Sequence, residues 1–170
     1  HDRNDEMEKA LENLLLLTDH YPEESPQLPM ALAEQGRLSY LTGDLKRARG
    51  AMERFLGKDK ENKDPFRQTA PAQRSRVHYY FGWVEATENK HEQAAERFAK
   101  VPVNDSLGPD AAFQRGIALI KGENFDEAAK HFPHMIRQFR EHEKLPLVIY
   151  YAGLSATKKE DWDTASNYFK

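Results

Sequence analysis

Residues 116–132 read GIALIKGENFDEAAKHF. Gly116 is followed twelve residues later by Ala128 and four residues after that by Phe132, with a turn at Glu123-Asn124 between them. The same register recurs as Gly36–Ala48–Met52, Gly82–Ala94–Phe98 and Gly153–Ala165–Phe169. The glycines stand 46, 34 and 37 residues apart, so the shortest interval sets the period and the others carry extra residues. A fixed internal register of this kind is the signature of a repeat protein, in which each unit is one supersecondary element stacked on its neighbours.

Each unit reads as two helices joined by a tight turn. In residues 32–55, Leu32, Leu38 and Leu41 share a helical surface that stops at Gly43-Asp44, and a second helix runs through Ala48, Ala51, Met52 and Phe55. Glycine ends the first helix at little steric cost, and Asp44 can cap the second. The equivalent turns are Asn89-Lys90, Glu123-Asn124 and Glu160-Asp161. Asn124 with Glu127 fits a capping box, whereas Lys90 supplies no capping oxygen. The recurring Gly and Ala are expected to face each other across the helical hairpin, with the aromatic or Met residue filling the wedge towards the next unit.

This pattern resembles the tetratricopeptide repeat, a helix-turn-helix with Gly, Ala and an aromatic at these spacings. On that resemblance the units begin at Pro29, Ser75, Pro109 and Pro146, and Ala10, Leu14, Leu17 and Pro22 match the second helix of a preceding unit. The family's usual tyrosine is replaced by Ser39, Glu85 and Ala156. The resemblance implies an all-α fold, a right-handed superhelical solenoid in a single array over 1–170. Its parts are a partial repeat at 5–22, repeats at 29–57, 75–108 and 109–142, and a truncated repeat at 146–170. Both ends cut through a unit, so a fragment of a longer array is expected, with His1 not the native start. Residues 58–74 are charged, contain two prolines and are expected to form an exposed, mobile inserted loop.

Composition narrows function. The net charge is −3, from 25 basic and 28 acidic residues, which argues against a dedicated nucleic-acid binder. The run Leu14–Leu17 is too short to span a membrane. There is no cysteine, hence no disulfide or thiol chemistry within this segment. His131 and His134 share a helix side, but no third metal ligand is spaced to join them and Pro133 intervenes. His91 occupies the slot of Leu45, Phe125 and Trp162 and reads as a packing residue. With no phosphate loop, nucleophile motif or paired carboxylates, neither an enzyme nor a cofactor is expected.

The resemblance also implies a binding surface, because first helices line a concave groove in tetratricopeptide arrays. Carried onto this chain, the groove slots hold Arg37, Tyr40 and Leu41; Arg76, Tyr79, Tyr80, Trp83 and Thr87; Asp110, Phe113, Gln114, Ile117 and Lys121; and Leu147, Tyr150, Tyr151, Leu154 and Lys158. Aromatics with polar tips and basic residues suit capture of an extended peptide or a helix. About half of these rings are expected to pack between neighbouring first helices instead. Tyr79, Tyr150 and Trp83 are the foremost groove candidates. The family's clamp for chaperone carboxylate tails is absent, since Ala33, Arg37, Glu34 and Leu41 fill its first set of slots.

The expected function is thus a non-catalytic scaffold that binds a partner protein or peptide, within a larger multi-repeat protein. An alternative is a segment of a bacterial envelope or exopolysaccharide export apparatus that contacts polysaccharide or secretion components. The linker Tyr21-Pro22-Glu23-Glu24-Ser25-Pro26 resembles those of envelope members, which favours an envelope or periplasmic location over the cytoplasm. A ligand sensor with its effector domain elsewhere is a third possibility.

Overall fold

Four interhelical turns set the local structure, and all four are built alike. Gly43, Asn89, Glu123 and Glu160 take positive φ values of 85°, 60°, 58° and 60°. The amide of the next residue then reaches back five positions: Asp44 to Ser39, Lys90 to Glu85, Asn124 to Leu119 and Asp161 to Ala156, at 2.8–3.0 Å. These bonds satisfy carbonyls that the ending helix leaves without partners. Asp44, Asn124 and Asp161 then cap the following helix by accepting from the amides of Arg47, Glu127 and Thr164, at 2.9, 3.3 and 3.1 Å. Only half of the expected capping box forms, because the Glu127 carboxylate accepts from Lys130 instead.

Lys90 has the same backbone conformation as its counterparts, with φ −88° and ψ 65°, but makes no side-chain cap. Lys90→Asp is therefore expected to raise stability by about 1 kcal/mol, read as an increase in urea midpoint. An unchanged midpoint would mean that this helix start needs no side-chain acceptor.

The computed structural model describes residues 2–20 and 22–170, with side chains from Asp5 onward. His1 and Tyr21, the latter opening the envelope-like linker, lie outside the described residues. The described residues form helices α1 (Asp2–His20), α2 (Leu28–Leu41), α3 (Leu45–Glu61), α4 (Pro71–Thr87), α5 (His91–Ala99), α6 (Gly108–Lys121), α7 (Phe125–Gln138), α8 (Leu145–Lys158) and α9 (Trp162–Phe169), plus a 3-10 turn at Phe66–Gln68. No strand occurs among them. The chain divides into two units, His1–Val84 and Glu85–Lys170.

In the first unit, α1 packs on α2 and α2 on α3. Leu28, Leu32, Ala48, Met52, Phe55, Phe66, Val77, Phe81 and Val84 form one buried cluster that ties α2, α3, the 3-10 turn and α4 together. Ala48 is fully buried, whereas Ala10, its counterpart in α1, is exposed.

Residues 58–74 depart from the expected loop. Helix α3 continues to Glu61, α4 already begins at Pro71, and the intervening turn is anchored rather than merely exposed. Phe66 is buried with its ring edge-on to Phe55, centroids 5.6 Å apart. Arg74 donates to Asp59 at 2.8 Å and to the carbonyls of Phe66 and Thr69. The charged residues Glu61, Lys63, Asp64 and Arg67 do remain exposed. One aromatic and one arginine convert a polar stretch into a tertiary element, a contribution that composition conceals.

In the second unit, consecutive helices from α5 to α9 pack pairwise. The glycine's role differs in detail from the Gly–Ala contact expected above. A Cβ at Gly36, in the first unit, would lie 2.8 Å from Met52 Cγ but 3.6 Å from the Ala48 carbonyl oxygen. At Gly116 it would meet Phe132 Cζ at 2.4 Å, and at Gly153 it would meet Phe169 Cζ at 2.5 Å. The glycine thus makes room for the large side chain four residues beyond the alanine. Phe132, fully buried, in turn stacks on Tyr151 of α8, with centroids 5.9 Å apart and rings 15° from parallel. That contact is the expected wedge towards the next helix. Pro133 lies inside α7, which continues through it to Gln138.

Candidate functional site

Helices α2 and α4 bring six of the sequence-predicted residues together. Glu34 accepts from Arg37 one turn along α2 at 2.8 Å and from Arg76 of α4 at 2.7 Å, so a single carboxylate ties both helices. Burial tends to lower the Arg37 pKa, but the hydrogen bond and charge of Glu34, helped by Tyr80, hold it above its ordinary value. Beside this pair runs a chain of rings. Tyr40 meets Tyr80 at 5.9 Å, Tyr80 meets Tyr79 at 5.3 Å, and Tyr79 meets Trp83 at 6.4 Å. The last two contacts are edge-on, at 86° and 79°, the arrangement favoured by ring quadrupoles. All four rings are half-buried, Arg76 is exposed, and Leu41 at 44 % exposure extends the surface. The result is a rigid amphipathic face.

Glu34 is the member that the sequence reading passed over as a site residue. Its signal was its place three residues before Arg37, a spacing at which helical side chains meet.

The second unit distributes its predicted residues differently. Phe113 is only 7 % exposed, packed edge-on to Tyr151 at 6.0 Å and covered by the Lys144 ammonium at 5.3 Å. Lys144 also pairs with Asp110. Phe113 is therefore an interior residue, and its assignment to a binding surface is corrected: a ring at this slot of α6 is captured by α8. Tyr151 is half-buried between Phe113 and Phe132, so it too serves packing. Tyr150 is 51 % exposed and touches Tyr151 edge-on at 5.4 Å, repeating the Tyr79–Tyr80 geometry. Gln114 is half-buried, and Lys121 and Lys158 are exposed at the ends of α6 and α8.

His131 and His134 sit in different surroundings. His131 Nε2–H donates to the Ala112 carbonyl at 2.7 Å, and burial holds its pKa below the ordinary value against the pull of that bond. His134 is exposed. No cluster able to hold a metal ion occurs among the described residues. His91 is half-buried beside Gly122, in keeping with a packing role. No helix among the described residues is long and apolar enough to cross a membrane.

No protein-family model and no curated protein matches this chain. Solved structures do. A MamA RS-1 double mutant superposes with a TM-score of 0.71 at 19% identity, covering 96% of this chain and 81% of that one. A crystal structure of MamA gives 0.73 at 15% identity, with 99% and 87% covered. A kinesin light chain from Podosopora anserina with nearly identical TPR-like repeats gives 0.73 at 11% identity, with 98% and 85% covered. At these identities the likeness speaks for the fold, and it agrees with the register of glycines, alanines and aromatics: the chain has the all-helical fold of the tetratricopeptide-like repeat proteins.

Proposed function

We propose that this chain is a non-catalytic scaffold segment that holds a peptide or helix of a partner protein on the face formed by α2 and α4. The observation that carries this reading is the row Tyr40–Tyr80–Tyr79–Trp83 lying beside arginines fixed by Glu34. Rings that brace one another lose little freedom when a partner docks, and their hydroxyl and indole tips remain suited to main-chain groups of a peptide. Because Glu34 already occupies both guanidinium groups, a bare carboxylate terminus is a poorer occupant than a segment with mixed apolar and polar side chains.

A second reading places a polysaccharide on the same surface, in an envelope export apparatus, and rests on the half-buried rings of Tyr79 and Trp83 as a stacking platform. The edge-on packing of Tyr79 against Tyr80 and Trp83 favours the peptide, since sugars stack on open ring faces.

The test is titration with a random twelve-residue peptide library and, separately, with alginate as an anionic polysaccharide, followed by Trp83 fluorescence in a Trp162→Phe background. For any peptide retained, Tyr79→Ala is expected to weaken binding about tenfold or more, the loss typical of a central aromatic anchor. A retained peptide whose affinity ignores both Tyr79→Ala and Trp83→Ala would rule out this face. A response to alginate alone would favour the second reading.

A further inference from the structure

The side of α6 that carries Phe113, Gln114, Ile117 and Lys121 has an opposite side, and α5 covers that side only in part. Arg115, Ala118, Leu119 and Gly122 fall there at intervals of three and four residues, and α5 meets them with Glu92, Ala95, Glu96 and Ala99 at the same intervals. With Ala95, Ala99, Ala118 and Gly122 among the lining residues, a groove remains between the two helices. It is also lined by Glu123, Asn124 and Glu127, is open to solvent, and has a volume of about 540 Å³. That lies within the range of roughly 300–1,000 Å³ occupied by ligand-holding clefts.

The chemistry of the groove is one-sided. Its floor is apolar, made by buried Ala95, Ala118 and Leu119 together with the exposed methyl of Ala99. Its walls carry four carboxylates against the single guanidinium of Arg115. Glu127 is paired with Lys130 at 2.9 Å, while Glu92, Glu96 and Glu123 have no ion-pair partner among the described residues. Lysine and arginine match both features, because their aliphatic stems can lie along alanine while the charged head meets the carboxylates. A neutral apolar occupant would strip water from the carboxylates without compensation, and an acidic one would be repelled.

We propose that the α5–α6 groove is a docking site for a lysine- or arginine-rich segment of a protein partner, separate from the α2–α4 face and independent of its function.

The probe is hexalysine with acetylated and amidated termini, titrated calorimetrically at low and at high salt. One variant removes the unpaired wall charges, Glu92→Gln with Glu96→Gln and Glu123→Gln. A second, Ala99→Phe, fills the groove without altering charge. A third changes the same number of exposed carboxylates in α1, Glu6→Gln with Glu8→Gln and Glu12→Gln. All seven positions are exposed, and melting curves check that each variant folds. The first two variants are expected to weaken binding about tenfold and the α1 variant at most about twofold, with affinity falling as salt rises. Equal losses in the two charge variants would reduce the effect to diffuse attraction and overturn the proposal. So would unchanged affinity in Ala99→Phe, or no binding of hexalysine by the unaltered chain.

Discussion

Phe66→Ala is expected to destabilise the protein by roughly 3–5 kcal/mol, a core-sized loss from a stretch that is otherwise charged. Phe66 is 2 % exposed and belongs to the same buried cluster as Phe55, Met52 and Phe81. Truncation would leave a void against Phe55 that backbone movement cannot easily close, because Arg74 pins the surrounding turn through Asp59 and two carbonyls. Urea denaturation monitored by circular dichroism gives the number directly. A loss below about 1 kcal/mol would place residues 62–70 among tolerated surface insertions, where single changes have small effects.

Gly116→Ala and Gly153→Ala should differ although the added methyl meets a phenylalanine ring at nearly the same distance, 2.4 Å and 2.5 Å to Cζ. Phe132, over Gly116, is fully buried and stacked on Tyr151, so the ring has nowhere to go. Overpacking of this kind costs roughly 1–3 kcal/mol. Phe169, over Gly153, is 53 % exposed and can swing towards solvent. There the intrinsic gain from alanine in a helix, about 0.5–1 kcal/mol, is free to show, so Gly153→Ala is expected to be neutral or stabilising. Equal urea midpoints for the two variants would mean that ring freedom does not govern the contact.

The candidate site was legible in part. Groove slots inherited from the repeat pattern named Arg37, Tyr40, Arg76, Tyr79, Tyr80 and Trp83; helical periodicity groups them within α2 and within α4, and packing of the two helices brings the groups together. The same slots misassigned Phe113, because periodicity gives the direction of a side chain but not what stands opposite it. A ring on α6 and a ring on α8 can meet only if the two helices approach closely, and that distance is set by packing. Glu34 escaped notice for a related reason: its role depends on Arg76, 42 residues away in the chain.

Local chemistry written in the chain determined the helical hairpins, the positive-φ turns and three of the four caps, because each depends on residues within about one turn of one another. Tertiary structure alone decided which glycine yields to a ring, which aromatic is interior and that a charged insertion hides Phe66. Those outcomes depend on contacts between segments distant in sequence, where shape and volume select the partner and residue type only restricts the choice.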